Sequence, residues 1–169
     1  MAGDPIRMAI ALLSANGDVT SLVGSNIYGG ILPEGYHPHD SGPAIVVTVK
    51  GGITDTETPI QHASVQVTCW DDVNGFVRAH TVYEAVFACL HGVNNINFGA
   101  NGRLLSVLEE AIGQDVVDPD MGWAEVIAAF TFQMFAGTTS ITDPITPTQS
   151  AKEYIDSLFA AVAGMDDNL

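Results

Sequence analysis

Between His62 and Gly92 the spacing of apolar residues changes once, from every second position to every third or fourth. Ala63, Val65, Val67 and Cys69 alternate with Ser64, Gln66 and Thr68, and a period of two marks a strand with one buried face. Phe76, Ala79, Tyr83, Val86, Phe87 and Leu90 then make one stripe along a helix of about four turns. Asp72 or Asn74 is placed to cap its start and Gly92 to end it. A strand feeding an amphipathic helix is the unit here that can found a core.

Before this unit, Asp4 and Pro5 form a helix start, a capping side chain followed by a residue whose fixed φ suits the first helical position. Ile6, Ala9, Ile10 and Leu13 give the buried stripe, and Asn16-Gly17 ends it. A shorter helix from Asp18 carries Val19, Leu22 and Val23 as far as Gly24. Residues 25–42 hold four glycines and two prolines and read as loop, with a brief strand at Ile27 and Tyr28. Ala44 to Lys50 is β-branched and continuous, the pattern of a well-covered strand. The nine residues Gly51 to Pro59 read as the long exposed loop of a hairpin. Thr54, Asp55, Thr56, Glu57 and Thr58 offer it hydroxyls and carboxylates, and surplus loop on a rigid scaffold is where binding commonly resides.

After the central helix, residues 93–102 read as loop, and apolar segments follow at 103–112 and 123–135. Glu109 and Glu110 interrupt the first, and Asp118-Pro119-Asp120 with Gly122 marks a turn before the second. Val126, Ala128, Phe130, Phe132 and Met134 alternate as in a long strand, while a helix through 125–135 stays open as the alternative. A Thr- and Pro-rich linker at 138–148 leads to a last helix, capped by Thr146 with Pro147 and Gln149 or by Ser150 with Glu153. Ala151, Tyr154, Ile155, Leu158 and Val162 form its stripe and Gly164 its stop; Tyr154, Ile155 and Leu158 are its candidate docking residues. The expected fold is α+β. A mostly antiparallel sheet of four to five strands is packed by the central and N-terminal helices within residues 1–137, and 149–169 form a C-terminal helical extension.

Charge narrows the function. Twenty acidic residues face five basic ones, a formal charge of −15, and such a surface does not hold nucleic acid through phosphate contacts. With 47% hydrophobic residues the chain is globular rather than disordered. No stretch reaches the roughly 18 to 20 apolar residues of a membrane span, so no membrane partner is expected. The start MAGDPIRMAIALL, acidic before its apolar run, does not read as a secretory signal, so the chain is expected to remain in the cytoplasm where it is made. Cys69 and Cys89 lie too far apart for a metal knuckle or a redox motif and read as buried thiols.

Candidate chemistry is sparse. His37, His39 and Asp40 resemble metal ligands, but a Gly/Pro loop supplies nothing to orient them. Asp71-Asp72 and Glu109-Glu110 are possible acid/base pairs, yet neighbouring strand residues point to opposite faces, which favours capping and solvation. Gly29-Gly30 and Gly51-Gly52 lack a phosphate-binding spacing, and Trp70 and Tyr28 read as core or interface aromatics. Neither a catalytic centre nor a cofactor is expected.

The order of elements resembles the tail-completion or tail-terminator proteins of long-tailed bacteriophages. The likeness is carried by SLVGSNIYGGILPEG after the first helix, PAIVVTV, SVQVTCW with VRAHTVYEAVFACLHG, and DPDMGWAEVIAAFTFQMF, and it spans about Asp4 to Phe135. It implies a non-enzymatic virion protein, assembled as a ring, usually a hexamer, at the head-proximal end of the tail tube. There it ends tube growth and joins tail to neck, its partners being copies of itself, the tail-tube protein and the head-completion or connector proteins, with DNA passing through the ring. A head-closure or adaptor protein of the same neck, and a small metal- or ligand-binding module using His37, His39 and Asp40, are the alternatives.

Overall fold

A computed structural model of the chain describes residues 3–135 apart from 56, 73 and 74. The N-terminal part follows its local signals. Helix α1, Pro5–Ala15, is capped by Asp4, whose carboxylate accepts from the amides of Ile6 and Arg7. Asn16 ends α1 and caps α2, Gly17–Val23, by accepting from Asp18 and Val19. Strand β1, Ile27–Gly29, a single-turn helix α3, Pro38–Ser41, and strand β2, Ala44–Thr54, follow. Strand β3 is Ile60–Asp71, helix α4 Phe76–Leu90, β4 Asn94–Asn97, β5 Arg103–Val117 and β6 Ala124–Phe135.

The six strands form one sheet in the order β1-β2-β3-β6-β5-β4, antiparallel except where β1 runs parallel to β2. Helices α1, α2 and α4 pack on one face. That face is built from the alternations: Ile45 and Val47 of β2, Val65, Val67 and Cys69 of β3, and Val126 to Met134 of β6, closed over by Met8, Leu13, Val19, Val82, Val86 and Leu90. Phe130 and Phe132 are its largest buried side chains. The other face carries Thr48, Gln66, Thr68, Ala129, Thr131 and Gln133. The segment holding Tyr36 and α3, together with Trp123, lies over one end of it: Trp123 meets Trp70 and His37 edge to face, with centroids 6.0 and 5.9 Å apart.

The α+β class and the mostly antiparallel sheet match the expectation, but there are six strands rather than four to five, and several boundaries move. Strand β6 takes the strand alternative, because each alternate side chain finds the core. The hairpin loop is five residues, 55–59, and not nine: β2 continues through a bulge at Val49/Gly51 as far as Thr54. Gly52 is needed there, since a Cβ would overlap the His62 carbonyl of the paired strand. Strand β5 runs on to Val117 through register shifts between Glu109 and Gln114, which hide its alternation. The loop after α4 contains β4 and a 3-10 turn, Gly99–Asn101. Gly75, and not Asp72, holds the N-cap position of α4, without a side-chain bond, and Asn74 lies outside the described residues. The linker at 138–148 and the extension at 149–169 lie outside the described residues.

Candidate interaction surfaces

The β2–β3 turn is closed by its own side chains. Asp55 accepts from the Glu57 amide at 3.0 Å and from the Thr58 hydroxyl at 2.6 Å, and its amide donates to the Ile60 carbonyl. The Thr58 hydroxyl, with the Glu57 amide, holds the exposed Asp55 carboxyl below the usual carboxylate range. Of the five turn residues singled out above, Thr54, Asp55, Glu57 and Thr58 are thus gathered at one tip of the sheet, and Thr56 lies outside the described residues. Tyr154, Ile155 and Leu158 also lie outside them.

Thr54 and Asp55 border an open cleft of about 810 Å³ on the face opposite the helices, with Gly52, His62, Ser64, Glu110 and Thr131. The Glu110 carboxylate accepts from Ser64 and Thr131, both at 3.1 Å, bridging from β5 across β6 to β3. Pairing Ser64 with Thr131 is a matter of register, and Glu110 reaches them because it is the extra residue where β5 slips between Glu109 and Ala111. Alternation along β3 marks Ser64 as outward-facing; nothing local marks its partners.

Each carboxylate of the acidic pairs has a separate contact. Asp71 is bound by Arg78, Asp72 by His39 at 3.0 Å, and Glu109 by the Tyr83 hydroxyl at 2.6 Å, while Glu110 bridges strands on the other face. The Asp71 carboxylate in turn raises the already high pKa of Arg78. His39 is engaged by Asp72 and His37 by Trp123, and among the described residues no three His, Cys, Asp or Glu side chains are grouped to hold a metal ion. Cys69 and Cys89 are free thiols; burial pushes both up in pKa, and Cys89 donates to the Leu12 carbonyl. No single helix among the described residues is long and apolar enough to cross a membrane.

One group was not legible. Glu125 is 7% exposed, paired in register with Trp70 on one side and Val116 on the other. Burial, with the nearby Asp118 carboxylate, raises its pKa to about 7.

No protein-family model and no curated protein sequence matches the chain. Among solved structures, the fold is similar to a chain of the virion of a native gene transfer agent particle, with a TM-score of 0.58 and 17% identity. The match covers 76% of this chain and 92% of that one. At that identity the likeness is one of fold. It defines the class: a six-stranded α+β domain whose architecture also builds a virion component.

Proposed function

We propose that this chain is a structural, non-enzymatic virion protein of a phage-like particle, and within that class a tail terminator. It assembles as a ring at the head-proximal end of the tail, ends tube growth and joins the tail to the neck. The observation that carries the reading is the fold shared with nearly the whole of a gene transfer agent virion chain. The site supports it, since the four carboxylates of the two acidic pairs are each held by a different neighbour, Asp71 by Arg78, Asp72 by His39, Glu109 by Tyr83 and Glu110 by Ser64 and Thr131. A formal charge of −15 on each copy also suits a ring through which DNA passes without being held, because like charge repels phosphates.

On this reading the tip formed by Thr54, Asp55, Glu57 and Thr58 contacts the tail tube, and Tyr154, Ile155 and Leu158 dock on an adjacent subunit or neck protein. The deciding experiment is a density map of particles carrying a tagged copy of the chain. A ring of this fold between the last tube ring and the neck is the expected result. Density for the tag in the head shell, or none in the particle, would overturn the reading.

A further inference from the structure

We infer that copies of this chain join head to tail by pairing the free edge of β2 with the free edge of β5 in the next copy, so that one sheet continues around a closed ring. The inference rests on the ring reading above and supplies its contact surface.

The sheet is incompletely paired at both sides, at opposite ends. Strand β1 pairs with β2 only along Ile45–Val47, with the Gly30 amide reaching the Val47 carbonyl, so Thr48–Thr54 has no neighbouring strand on that side among the described residues. Strand β4 pairs with β5 only as far as Ser106, with Gly92 and Val93 bonding Val107 and the Glu109 amide donating to His91 Nδ1, so Leu108–Val117 has no neighbouring strand on that side among the described residues. Nine large hydrophobic side chains are exposed among the described residues, and six of them lie on these two segments: Val49, Ile53, Leu108, Ile112, Val116 and Val117. Unpaired backbone beside exposed apolar side chains is a template for another strand.

The two edges fit each other in direction, charge and stagger. Because β2, β3, β6 and β5 are successively antiparallel, β5 runs opposite to β2, and rotation about a ring axis sets it antiparallel to β2 of the next copy. The β2 edge carries Lys50, which has no ion-pair partner among the described residues; the β5 edge carries Asp115, exposed beside His80, while Glu110 is turned away from the edge to Ser64 and Thr131. Gly51, at the middle of the free β2 edge, is level with Leu108 through Ser64 and Thr131, whereas the free β5 edge is centred near Ile112. Matching the two requires a slip of about three to four residues, roughly 10–14 Å, over four strands spanning about 19 Å. That corresponds to a strand tilt of about 30°, near the roughly 35–45° of closed barrels. The same slip carries β4 beyond the Thr54 end of its neighbour and brings β1 of the incoming copy level with about Val116 and Val117, so the seam runs from Leu108 to about Asp115. A contact between two different edges closes into a ring when its rotation closes.

Ile53 and Ile112 are 75% and 73% exposed in the single copy, so Ile53→Lys and Ile112→Lys leave circular dichroism and melting as in the wild type. Sedimentation of the full chain should show that either lysine raises the concentration needed for ring formation about tenfold or more. In a Cys89→Ser background, Ile53→Cys and Ile112→Cys chains should be joined by a short bifunctional maleimide only when mixed. Wild-type chain that stays monomeric at every concentration, rings that survive both lysines, or cross-linking of one cysteine variant alone equal to that of the mixture would overturn the edge pairing. So would lysine variants that form normal rings but block particle assembly, which would assign the edges to a strand of another virion protein. None of these outcomes decides the tail reading, which is tested on particles.

Discussion

Arg78, in the first turn of α4, donates two hydrogen bonds to the carboxylate of Asp71, the last residue of β3 and only 1% exposed. The pair fastens the start of the helix to the strand that precedes it, across a connection whose Gly75 supplies no capping side chain. Its members are unequally placed, since the Arg78 side chain is half exposed. Arg78→Ala leaves a buried carboxylate without its cation and should cost about 3–5 kcal/mol. Asp71→Asn leaves a cation that can reach water and should cost less, about 1–3 kcal/mol. Urea denaturation of both variants checks the order, and equal losses would mean that the pair contributes only through packing.

Gly75 is the second test of this junction. A Cβ there would lie 2.6–2.8 Å from the atoms of the Asp71 side chain. Gly75→Ala should therefore lower the melting temperature by several degrees, and combining it with Asp71→Ala should recover part of the clash term. Strict additivity in the double variant would place the cause elsewhere.

Val67 is fully buried on the helix-facing side of β3. Val67→Asp puts an unpaired charge there, at several kcal/mol against a total stability of about 5–15 kcal/mol. Insoluble or molten protein is expected. A soluble variant with a cooperative melt would show that this face is not the core.

The pH response of Glu125 has a definite sign. Its folded pKa, about 7, lies above the value of 4.5 expected unfolded, so the folded state holds this proton more tightly. The contribution is complete below pH 4.5 and is lost as pH rises through about 7. A shift of this size corresponds to at most about 3 kcal/mol. Glu125→Gln should remove that slope and be the more stable protein at pH 8. Parallel stability curves for wild type and variant across pH 4–9 would contradict the assignment.

How far the sequence reveals this structure depends on how local each signal is. Asp4 with Pro5, and the stripe from Phe76 to Leu90, are read directly because their partners lie within a few residues. Gly51-Gly52 signals a turn, yet the residues stand inside β2 beside a bulge, where the approach of the His62 carbonyl excludes a side chain at Gly52. Glu109 and Glu110 break the alternation of β5 because the strand slips there, so one faces Tyr83 and the other Ser64. Asn94–Asn97 is short and polar, and only its pairing with β5 makes it a strand. Thr54 and Asp55 were legible as an exposed polar tip. That they share a cleft with Glu110 and Thr131 follows from register across four strands, which no local pattern encodes.

The shorter turn sharpens the prediction for the tip. Since β2 reaches Thr54 and β3 begins at Ile60, replacing residues 55–59 with Asn-Gly removes the turn while keeping both strands. Circular dichroism and melting should stay close to wild type while the variant fails to cap tail tubes in a complementation assay. Wild-type capping by this variant would move the tube contact to another surface.

The most direct measurement is the distribution of tail lengths, by electron microscopy, in particles produced without this chain. A tail terminator predicts tubes of irregular, excessive length that are not joined to heads, with uniform, joined tails restored when the chain is supplied in trans. Tails of normal length on complete, infectious particles in its absence would contradict the account.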